Sequence, residues 1–406
     1  MVAELMIDKT LFVSVIVAMF FSLVMVFSLS TYPVLYNEYP VYHFLIRQII
    51  AVSMGFLMII ILSKLDPDKW FNTLGLGIFL LFFIIMISMP FLPTSMVSDT
   101  GGAKRWIGFG FFKITPVEFF KVGFVFFLSW SFSRKILHRQ NMTFSEEFVA
   151  YFPYLIVFVI SAIFIAVLQK DLGQTMVLAA TLLIMFIFAG SSLKFFLSLI
   201  GTALFGLIVL IKTAPHRVQR VVEWWATVQD PILSALPANL SNSLRVDAIA
   251  KESYQVSNSL NAINHGGFFG TGLGNGQFKL GYLSDVHTDF ALAGVAEEFG
   301  FIGLFFVLGL MLIIIFRIFK IASRLENPVY SLFCIGVALL IGFAFIINSF
   351  GIAGITPVKG IAVPFLSYGG SQILALSVAI GMVLMVSKKM QTKKEMINSN
   401  EGEVWQ

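Results

Sequence analysis

One acidic residue stands out by its place between polar and apolar sequence. Asp289 lies near the end of the segment 282–290, where a long polar region gives way to an apolar run. A carboxylate at such a boundary could act as a general base that takes a proton from a substrate hydroxyl. Thr288 or Asp289 could equally be a helix N-cap, because side-chain oxygens and negative charge are favoured where a helix begins. The pattern alone leaves both interpretations open.

Two further carboxylates lie inside the apolar run that follows. Glu297 and Glu298 come two turns after Asp289, where an ionised group costs roughly 2.5–3.5 kcal/mol on insertion scales. Such groups are retained where they are paired or where they line a wet cavity. We assign both glutamates to a cavity, and this favours catalysis for Asp289.

Basic residues gather at the same boundary. Arg47 opens one apolar run, and Lys104 and Arg105 lie between two others. Glu118 and Lys121 open a further run at a spacing of three, which places them on one helix face and allows an ion pair. Cations of this kind stabilise the charge that develops on a diphosphate leaving group. The residues therefore suggest transfer from a diphosphate, without identifying the transferred group.

Not every basic residue at a boundary needs a function. Long basic side chains reach from helix ends to the membrane interface, and this explanation is adequate for Arg217. Lys121 lies deeper in its run and beside Glu118, so an ion pair is favoured there.

The glycine-rich segment 266–276 does not predict a nucleotide site. It lacks the preceding strand and following helix that a dinucleotide fingerprint requires, and no Gly-Lys-Ser/Thr follows. We interpret it as a turn-rich loop in which glycines allow positive φ angles or close backbone approach.

The composition predicts the elements that must position these residues. Hydrophobic residues make up 58% of the 406, charged residues 12%, and the mean hydropathy is +0.90. Soluble domains are about 25% charged, so this inventory excludes a water-soluble surface. Cytoplasmic loops of membrane proteins carry an excess of Lys and Arg, which explains the net charge of +5. No nucleic-acid partner is therefore expected. The single cysteine, Cys334, excludes an intrachain disulfide.

Apolar runs of about 20 residues cross a membrane as helices, since backbone groups must be satisfied within the segment. Such runs lie near residues 10–32, 44–63, 71–92, 116–133, 149–168, 174–190, 194–211, 289–316, 329–349 and 369–387. The first run has no cleavage site and is predicted to be retained. The chain is thus predicted to be an all-α polytopic integral membrane protein, a single domain over 1–406, with about ten transmembrane helices.

If both termini are cytoplasmic, Lys and Arg are more frequent in the cytoplasmic connecting segments than in the short outer ones. The positive-inside rule therefore favours this orientation. Residues 212–288 then form a large extracytoplasmic loop before the eighth helix, and residues 388–406 form a mobile cytoplasmic tail. The loop is too polar to span the membrane, and its Trp224–Trp225 pair suggests amphipathic pieces at the outer interface.

Several strings resemble the SEDS family (shape, elongation, division and sporulation) over almost the whole chain. They are GGAKRWI at 101–107, PVEFFK at 116–121, QKDLG at 169–173, HTDF at 287–290, EEFG at 297–300 and PFLSYGGS at 364–371. Residues 272–276 and 357–360 resemble the FtsW branch, which acts in division, more than the RodA branch, which acts in elongation. Among the departures, Lys170 stands where the family usually has Pro, and the stretch 232–251 is longer than usual.

The resemblance implies a peptidoglycan glycosyltransferase that polymerises lipid II at the outer face of the bacterial cytoplasmic membrane during septal cell-wall synthesis. Asp289 matches the family's essential aspartate and would be the catalytic base of an inverting reaction with a β-1,4 glycan product. The expected substrate-binding residues are Lys121, Arg47, Arg105, Lys104, Glu118 and His287. A divalent cation, Mg²⁺ or Mn²⁺, could share the diphosphate.

The implied partners are lipid II, a class B penicillin-binding protein with a single anchor helix, other division proteins and membrane lipids. Two alternatives stay open at this point. A lipid II flippase would use Asp171, Glu297 and Glu298 as relay or gating residues. A non-catalytic scaffold would only recruit and position the penicillin-binding protein.

Overall fold

The computed structural model describes residues 7–93, 96–100, 103–109, 112–137, 139, 142–246, 251–283 and 285–403. Its helices are α1 (Lys9–Leu29), α2 (Thr31–Tyr36), α3 (His43–Lys64), α4 (Pro67–Ser88), α5 (Pro116–Lys135), α6 (Phe144–Ala162), α7 (Leu172–Phe188), α8 (Leu193–Lys212), α9 (Pro215–Leu233), α10 (Ala238–Leu244), α11 (Lys251–Gly266), α12 (Ala291–Ala322), α13 (Pro328–Ile352) and α14 (Gly370–Glu403). Three strands, β1 (Val97–Thr100), β2 (Ala103–Phe109) and β3 (Phe112–Ile114), lie between α4 and α5.

Eight of the described helical segments are long and apolar enough to cross a membrane. They cover Lys9–Tyr36, His43–Lys64, Pro67–Phe91, Phe144–Leu168, Leu193–Lys212, Ala291–Ala322, Pro328–Ile352 and Gly370–Met390. The other two predicted runs are also helical, as α5 and α7. α7 is shorter than the eight, and α5 carries charged residues near both ends. The polytopic helical fold is confirmed, and the count of ten stays a prediction.

The bundle is built around its last helices. The spanning part of α14 is 83% buried and that of α13 is 61% buried, whereas α8 is only 11% buried. α14 packs on α3 and α5, and α13 packs on α5, α7 and α12. Because α8 contacts so little of the protein, nearly all of its apolar surface is left for lipid. Its exposed Leu204, Phe205 and Ile208 form part of that surface.

The start of α1 and the end of the α14 span meet at one end of the bundle. The backbone N–H of Asp8 donates to Ser387 Oγ at 3.3 Å. The Asp8 carboxylate also forms an ion pair with Arg317, near the end of α12. α5, α7 and α12 begin at the opposite end. α14 continues to Glu403, so the predicted tail is helical as far as it is described.

A small antiparallel sheet departs from the all-α prediction. Its strand order is β1-β2-β3, with Val97 opposite Ile107 and Ile107 opposite Ile114. Val97 and Ile107 are buried, which explains why this short segment forms strands and packs under the end of α4. β2 carries Lys104 and Arg105, so the sheet determines where these two basic side chains point.

The predicted outer loop, 212–288, is largely helical, as α9, α10 and α11. α9 begins three residues after α8 ends, and Trp224 Nε1 on α9 donates to the carbonyl of Gly354 at 2.7 Å. Gln229 Oε1 accepts from the backbone N–H of Val246 at 2.9 Å, which closes the α9–α10 hairpin. Residues 247–250, in the stretch that is longer than usual, lie outside the described residues.

α12 is broken at Gly300, which has φ 67° and ψ −160°. The glycine-rich segment fills the break. The N–H groups of Thr271 and Gly272 donate to the carbonyls of Glu297 and Glu298, at 2.9 and 3.0 Å. Two further hydrogen bonds run from the N–H groups of residues 301 and 302 to the carbonyls of residues 267 and 268, at 3.0 and 3.3 Å. The segment is therefore a turn-rich element, and it satisfies backbone groups that the break would leave exposed to hydrocarbon.

Candidate active site

Asp289 lies two residues before α12 and does not cap it. α12 begins at Ala291, with Phe290 in the N-cap position and no side-chain capping bond. Thr288 Oγ1 instead bonds to the carbonyl of Asp285 at 3.2 Å. The capping interpretation of Thr288 and Asp289 is therefore wrong. The Asp289 carboxylate is left available for another role.

The loop that carries Asp289 is held from two sides. Asn348 Nδ2, near the end of α13, donates to the carbonyl of Asp289 at 2.6 Å. Ser367 Oγ, just before α14, donates to the carbonyl of Thr288 at 2.6 Å. Both contacts are made to the backbone, so they fix the loop while the carboxylate itself faces a cavity.

A cavity of about 210 Å³ lies beside this carboxylate. Its walls come from β2, the turn before α7, α9, α11, the loop before α12 and the connection between α13 and α14. The charged residues that line it are Arg105, Lys170, Asp171, Arg217, Arg220, Asp285, Asp289 and Lys359. Five basic side chains face three acidic ones, so the cavity is suited to an anionic ligand such as a diphosphate.

The surroundings raise the pKa of Asp289 to about 7. Burial is the largest cause, and the negative charges of Asp285 and Asp171 act in the same direction. Arg105 and Arg220 oppose the shift. Within the described residues, no side chain or N–H group donates a hydrogen bond to the Asp289 carboxylate. A carboxylate with a pKa near neutrality can accept and release a proton under physiological conditions, which is the property that a general base needs.

Arg105 reaches the cavity from β2 and ties the sheet to the bundle. Its Nε donates to the carbonyl of Gln169 and its Nη2 to that of Lys170, both at 2.7 Å. Its Nη1 lies 3.9 Å from Asp171. Asp171 caps α7 by accepting from the N–H of Gln174 at 3.1 Å. Burial raises the pKa of Asp171, and Arg105 partly offsets that shift.

Sequence reasoning missed four of the cations that line the cavity, namely Lys170, Arg217, Arg220 and Lys359. Arg217 and Arg220 are three apart on α9, which puts them on one helix face. Lys359 lies next to Gly360, whose φ of +59° turns the chain beside Asp289. Arg217 is buried, and it also donates to the carbonyl of Leu210 at 2.7 Å, so interfacial snorkelling does not describe it. The spacing of the two arginines on a polar helix was the available signal.

Lys121 and Glu118 do not line this cavity. The Lys121 ammonium lies 2.9 Å from Glu118 Oε2 and donates to Gln174 Oε1 at 2.5 Å. Gln174 Nε2 in turn donates to Glu118 Oε1 at 2.7 Å. All three side chains are buried, so the predicted ion pair is present as a closed network. It connects to the cavity through α7, because Gln174 also contacts Asp171.

Lys104, Arg47 and His287 also lie away from the cavity lining. Lys104 Nζ donates to the carbonyls of residues 90 and 92, at 3.0 and 3.2 Å, where the chain leaves α4. Arg47, in the first turns of α3, interacts with Tyr368. The His287 ring lies between Phe44 and Tyr368, at centroid distances of 5.1 and 5.9 Å. Burial lowers the pKa of His287 to about 4, so its ring is neutral near pH 7.

Glu297 and Glu298 do not line the cavity to which they were assigned. Glu297 Oε1 accepts from the N–H groups of Gln277 and Phe278, at 2.5 and 3.1 Å, and lies 3.2 Å from His265 Nδ1. Glu298 accepts from Lys279 Nζ and Ser28 Oγ, each at 2.6 Å. Both glutamates are 1% exposed. Each carboxylate is already satisfied by protein groups.

In the part of the chain that the structure describes, no group of three or more His, Cys, Asp or Glu side chains is placed to hold a metal ion. The divalent cation anticipated from the sequence stays a prediction, and no step proposed below depends on it.

The fold and the site define a polytopic helical membrane protein with a charged cavity where α5, α7 and α12 begin. The profile of the FtsW/RodA/SpoVE family, described as "Cell cycle protein", matches residues 8–392. The chain therefore belongs to this family.

Related proteins agree with this assignment. The chain is 48% identical to the "Probable peptidoglycan glycosyltransferase FtsW" of Helicobacter pylori, over 94% of this chain and 98% of that protein. It is 31% identical to the stage V sporulation protein E of Bacillus subtilis, over 94% and 97% of the two chains.

Solved structures share the fold. The RodA protein of Thermus thermophilus superposes with a TM-score of 0.63 at 21% identity, over 95% of this chain and 98% of that one. A chain from a peptidoglycan synthase complex, described as coordinating polymerisation and crosslinking, gives a TM-score of 0.66 at 21% identity over the same shares.

Proposed function

We propose that this protein is a peptidoglycan glycosyltransferase that polymerises lipid II into glycan strands for septal cell-wall synthesis. The observation that carries the proposal is Asp289, a carboxylate with a pKa near 7 facing a cavity with five basic side chains. A general base beside an anion-binding surface is what transfer of a sugar from a lipid diphosphate requires. The relatives named peptidoglycan glycosyltransferase support the same substrate class.

In the proposed step, Asp289 accepts the proton of the acceptor's sugar hydroxyl. The hydroxyl oxygen forms a bond to the anomeric carbon of the donor sugar as the bond from that carbon to the diphosphate oxygen breaks. The donor is α-linked and the new bond is β-1,4, so the reaction inverts the anomeric centre. The proton remains on Asp289 and the lipid diphosphate leaves with the electron pair.

We assign the diphosphate to cations that differ in part from those inferred from the sequence. Arg105 keeps its expected role. Arg220 and Lys359 take the place of Lys121 and Arg47, because the former pair lines the cavity and the latter pair does not. Arg105 and Arg220 also favour the ionised form of Asp289. Lys121 lies behind the cavity lining, where its hydrogen bond positions Gln174 at the start of α7.

The flippase alternative needs ionisable groups that are available within the membrane. The Glu297 carboxylate is instead bonded to the N–H groups of Gln277 and Phe278. The Glu298 carboxylate is bonded to Lys279 and Ser28. A carboxylate already satisfied in this way must break two or more hydrogen bonds before it can relay a proton. This favours the polymerase over the flippase.

The setting of the enzyme follows from the same proposal. The cavity end of the bundle faces the outside of the cytoplasmic membrane, and both termini lie in the cytoplasm at the septum. A class B penicillin-binding protein crosslinks the strands and binds through its anchor helix, alongside other division proteins and lipids. A structure of a peptidoglycan synthase complex with the same fold supports this assembly.

The decisive experiment compares wild type with Asp289→Ala in a purified complex with the cognate penicillin-binding protein. Labelled lipid II is supplied with penicillin, so that crosslinking does not obscure glycan length. Asp230→Ala is the matched control, because Asp230 is an exposed carboxylate paired with Arg245 and lies outside the cavity. Glycan ladders from wild type and Asp230→Ala, and none from a folded, partner-bound Asp289→Ala, support the proposal.

Two results would contradict it. Equal ladders from Asp289→Ala and wild type would remove the base from the mechanism. No ladder from any variant, together with lipid II flipping in liposomes, would favour the transporter. A scaffold would form the complex in every case and polymerise nothing.

A further inference from the structure

The side chain of Asn348 joins two loops that meet at the cavity. It lies four residues before the end of α13 and is 6% exposed. Its Nδ2 donates to the carbonyl of Asp289 and to the carbonyl of Ile361, both at 2.6 Å. One amide group therefore uses both of its N–H bonds to hold the loop before α12 and the loop before α14 side by side.

The second loop brings Lys359 and Gly360 against Asp289. A Cβ atom built on Gly360 would lie 3.2 Å from Asp289 Oδ2, so the backbone here approaches the carboxylate closely. A narrow cavity of about 10 Å³ lies between the two loops and is lined by Asp289, Asn348 and Lys359 among others. Within the described residues, Asn348 Oδ1 is buried and accepts no hydrogen bond.

An unsatisfied buried acceptor destabilises the folded protein. A leucine of similar size would remove that acceptor, but it would leave the carbonyls of Asp289 and Ile361 without the Nδ2 donor. The retained amide is therefore explained by what its two N–H groups do, which is to fix the spacing between Asp289 and the Lys359–Gly360 turn.

We infer that Asn348 is a positioning residue that sets the distance between the general base and the diphosphate-binding turn. The inference rests on the proposed function. It adds a residue that touches neither substrate nor leaving group and acts through the two carbonyls it bridges. Releasing the bridge lets the loop that carries Asp289 move toward water.

The charged groups that face Asp289 come from every neighbouring element. They are Asp285 on its own loop, Asp171 before α7, Arg105 on β2, Arg217 and Arg220 on α9, Lys170 before α7 and Lys359 after α13. Two substitutions of Asn348 should change the electrostatic surroundings of Asp289 in opposite directions. Asn348→Leu removes the bridge without adding charge, whereas Asn348→Asp removes it and adds a carboxylate nearby.

The test measures polymerisation against pH for the full complex with these two variants. Each is expected to lower kcat by ten- to a hundredfold while KM for lipid II changes less than threefold. The pH at half-maximal activity is expected to fall by at least half a unit in Asn348→Leu, because Asp289 becomes more hydrated. It is expected to rise in Asn348→Asp, because a second negative charge disfavours ionisation. Asn348→Gln, which keeps the donors, recovers part of kcat.

Asn258→Leu is the matched control. Asn258 is also a buried asparagine whose Nδ2 donates to a loop carbonyl, that of Tyr282 at 2.8 Å, and it does not line the cavity. Its loss lowers thermal stability without moving the pH midpoint. Should an Asn348 variant fail to fold, Gly360→Ala probes the same spacing from the other loop, and kcat should fall in the same way.

Unchanged kcat and an unchanged midpoint in folded Asn348 variants would overturn the inference. So would midpoints that move in the same direction for leucine and aspartate. Failure of the proposed function is a separate result, because wild type itself would then make no glycan.

Discussion

Two acidic sites lie within ten residues of each other and have opposite surroundings. Asp289 sits in the loop before α12, faces a charged cavity and accepts no hydrogen bond at its carboxylate from the described residues. Glu297 and Glu298 lie two turns into α12 and are 1% exposed, and the carboxylate of each accepts hydrogen bonds from protein groups. The first arrangement leaves a carboxylate ready to exchange a proton, and the second uses carboxylates to hold the chain together.

Burial alone therefore does not identify a catalytic acid in a membrane protein. An ionised group inside the membrane must be paired, and pairing with fixed protein donors removes the freedom that catalysis needs. The useful distinction is therefore whether the partners of a buried carboxylate belong to the protein or are left for a substrate to supply.

The largest effect should come from breaking the structural site. Lys279→Ala leaves Glu298 buried without its ion pair, at a cost of about 3–5 kcal/mol. The yield of folded protein in detergent should collapse, which size-exclusion chromatography and thermal unfolding will show. Replacing both partners, as Lys279→Met with Glu298→Leu, should recover much of the yield, because no charge is then left unpaired. Equal loss in the single and the double variant would contradict the pairing.

The cations of the cavity should give the next effect, on activity and not on folding. Arg220→Ala and Lys359→Ala should each lower kcat/KM for lipid II polymerisation by roughly ten- to a hundredfold, since each removes a charge that stabilises the leaving diphosphate. Lys212→Ala, at the end of α8 and outside the cavity lining, is the control. Arg220 would lose its assigned role if its variant matched this control.

The pKa of Asp289 predicts how activity depends on pH. Asp289 must be ionised to accept a proton, and burial raises its pKa to about 7. Polymerisation should therefore rise through neutrality, reach a plateau above it, and fall by about tenfold for each unit below pH 6. Initial rates at saturating lipid II in the purified complex will test this. A flat profile between pH 5 and pH 8 would exclude Asp289 as the titrating base.

The smallest effect should be on stability. The folded-state pKa of Asp289, about 7, exceeds the ordinary value of 3.8. Folding therefore favours the protonated form of Asp289. The stability that this preference contributes is lost as the pH rises through the folded-state pKa of about 7. Asp289→Asn resembles the protonated form, so it should raise Tm by a few degrees at pH 8 and by less at pH 5. A gain that does not depend on pH would point to packing instead.

The helical framework could be predicted from the sequence because hydrocarbon imposes one solution on long apolar runs. Each of the predicted runs is helical, and the strings that carry the family resemblance lie where the family profile matches. The small sheet could not be foreseen in the same way, since its strands are short and their pairing depends on Val97 and Ile107 packing beneath α4.

The site could be predicted only in part. Asp289 and Arg105 meet at the cavity as expected from their position at one boundary. Arg220 and Lys359 were missed because they come from distant parts of the chain that only the folded outer helices bring together. Lys121 was assigned to the substrate because its partner Gln174, on another helix, cannot be inferred from spacing along α5.

The break in α12 has a consequence for the order in which the chain is made. The groups that fill the break belong to residues 267–272, and these leave the ribosome before residues 297–302 that need them. The second half of α12 is therefore synthesised after the segment with which it pairs. A deletion within the glycine-rich segment would leave several backbone groups unsatisfied in hydrocarbon, at several kcal/mol each, so this stretch is a poor place to shorten the chain or to insert a tag.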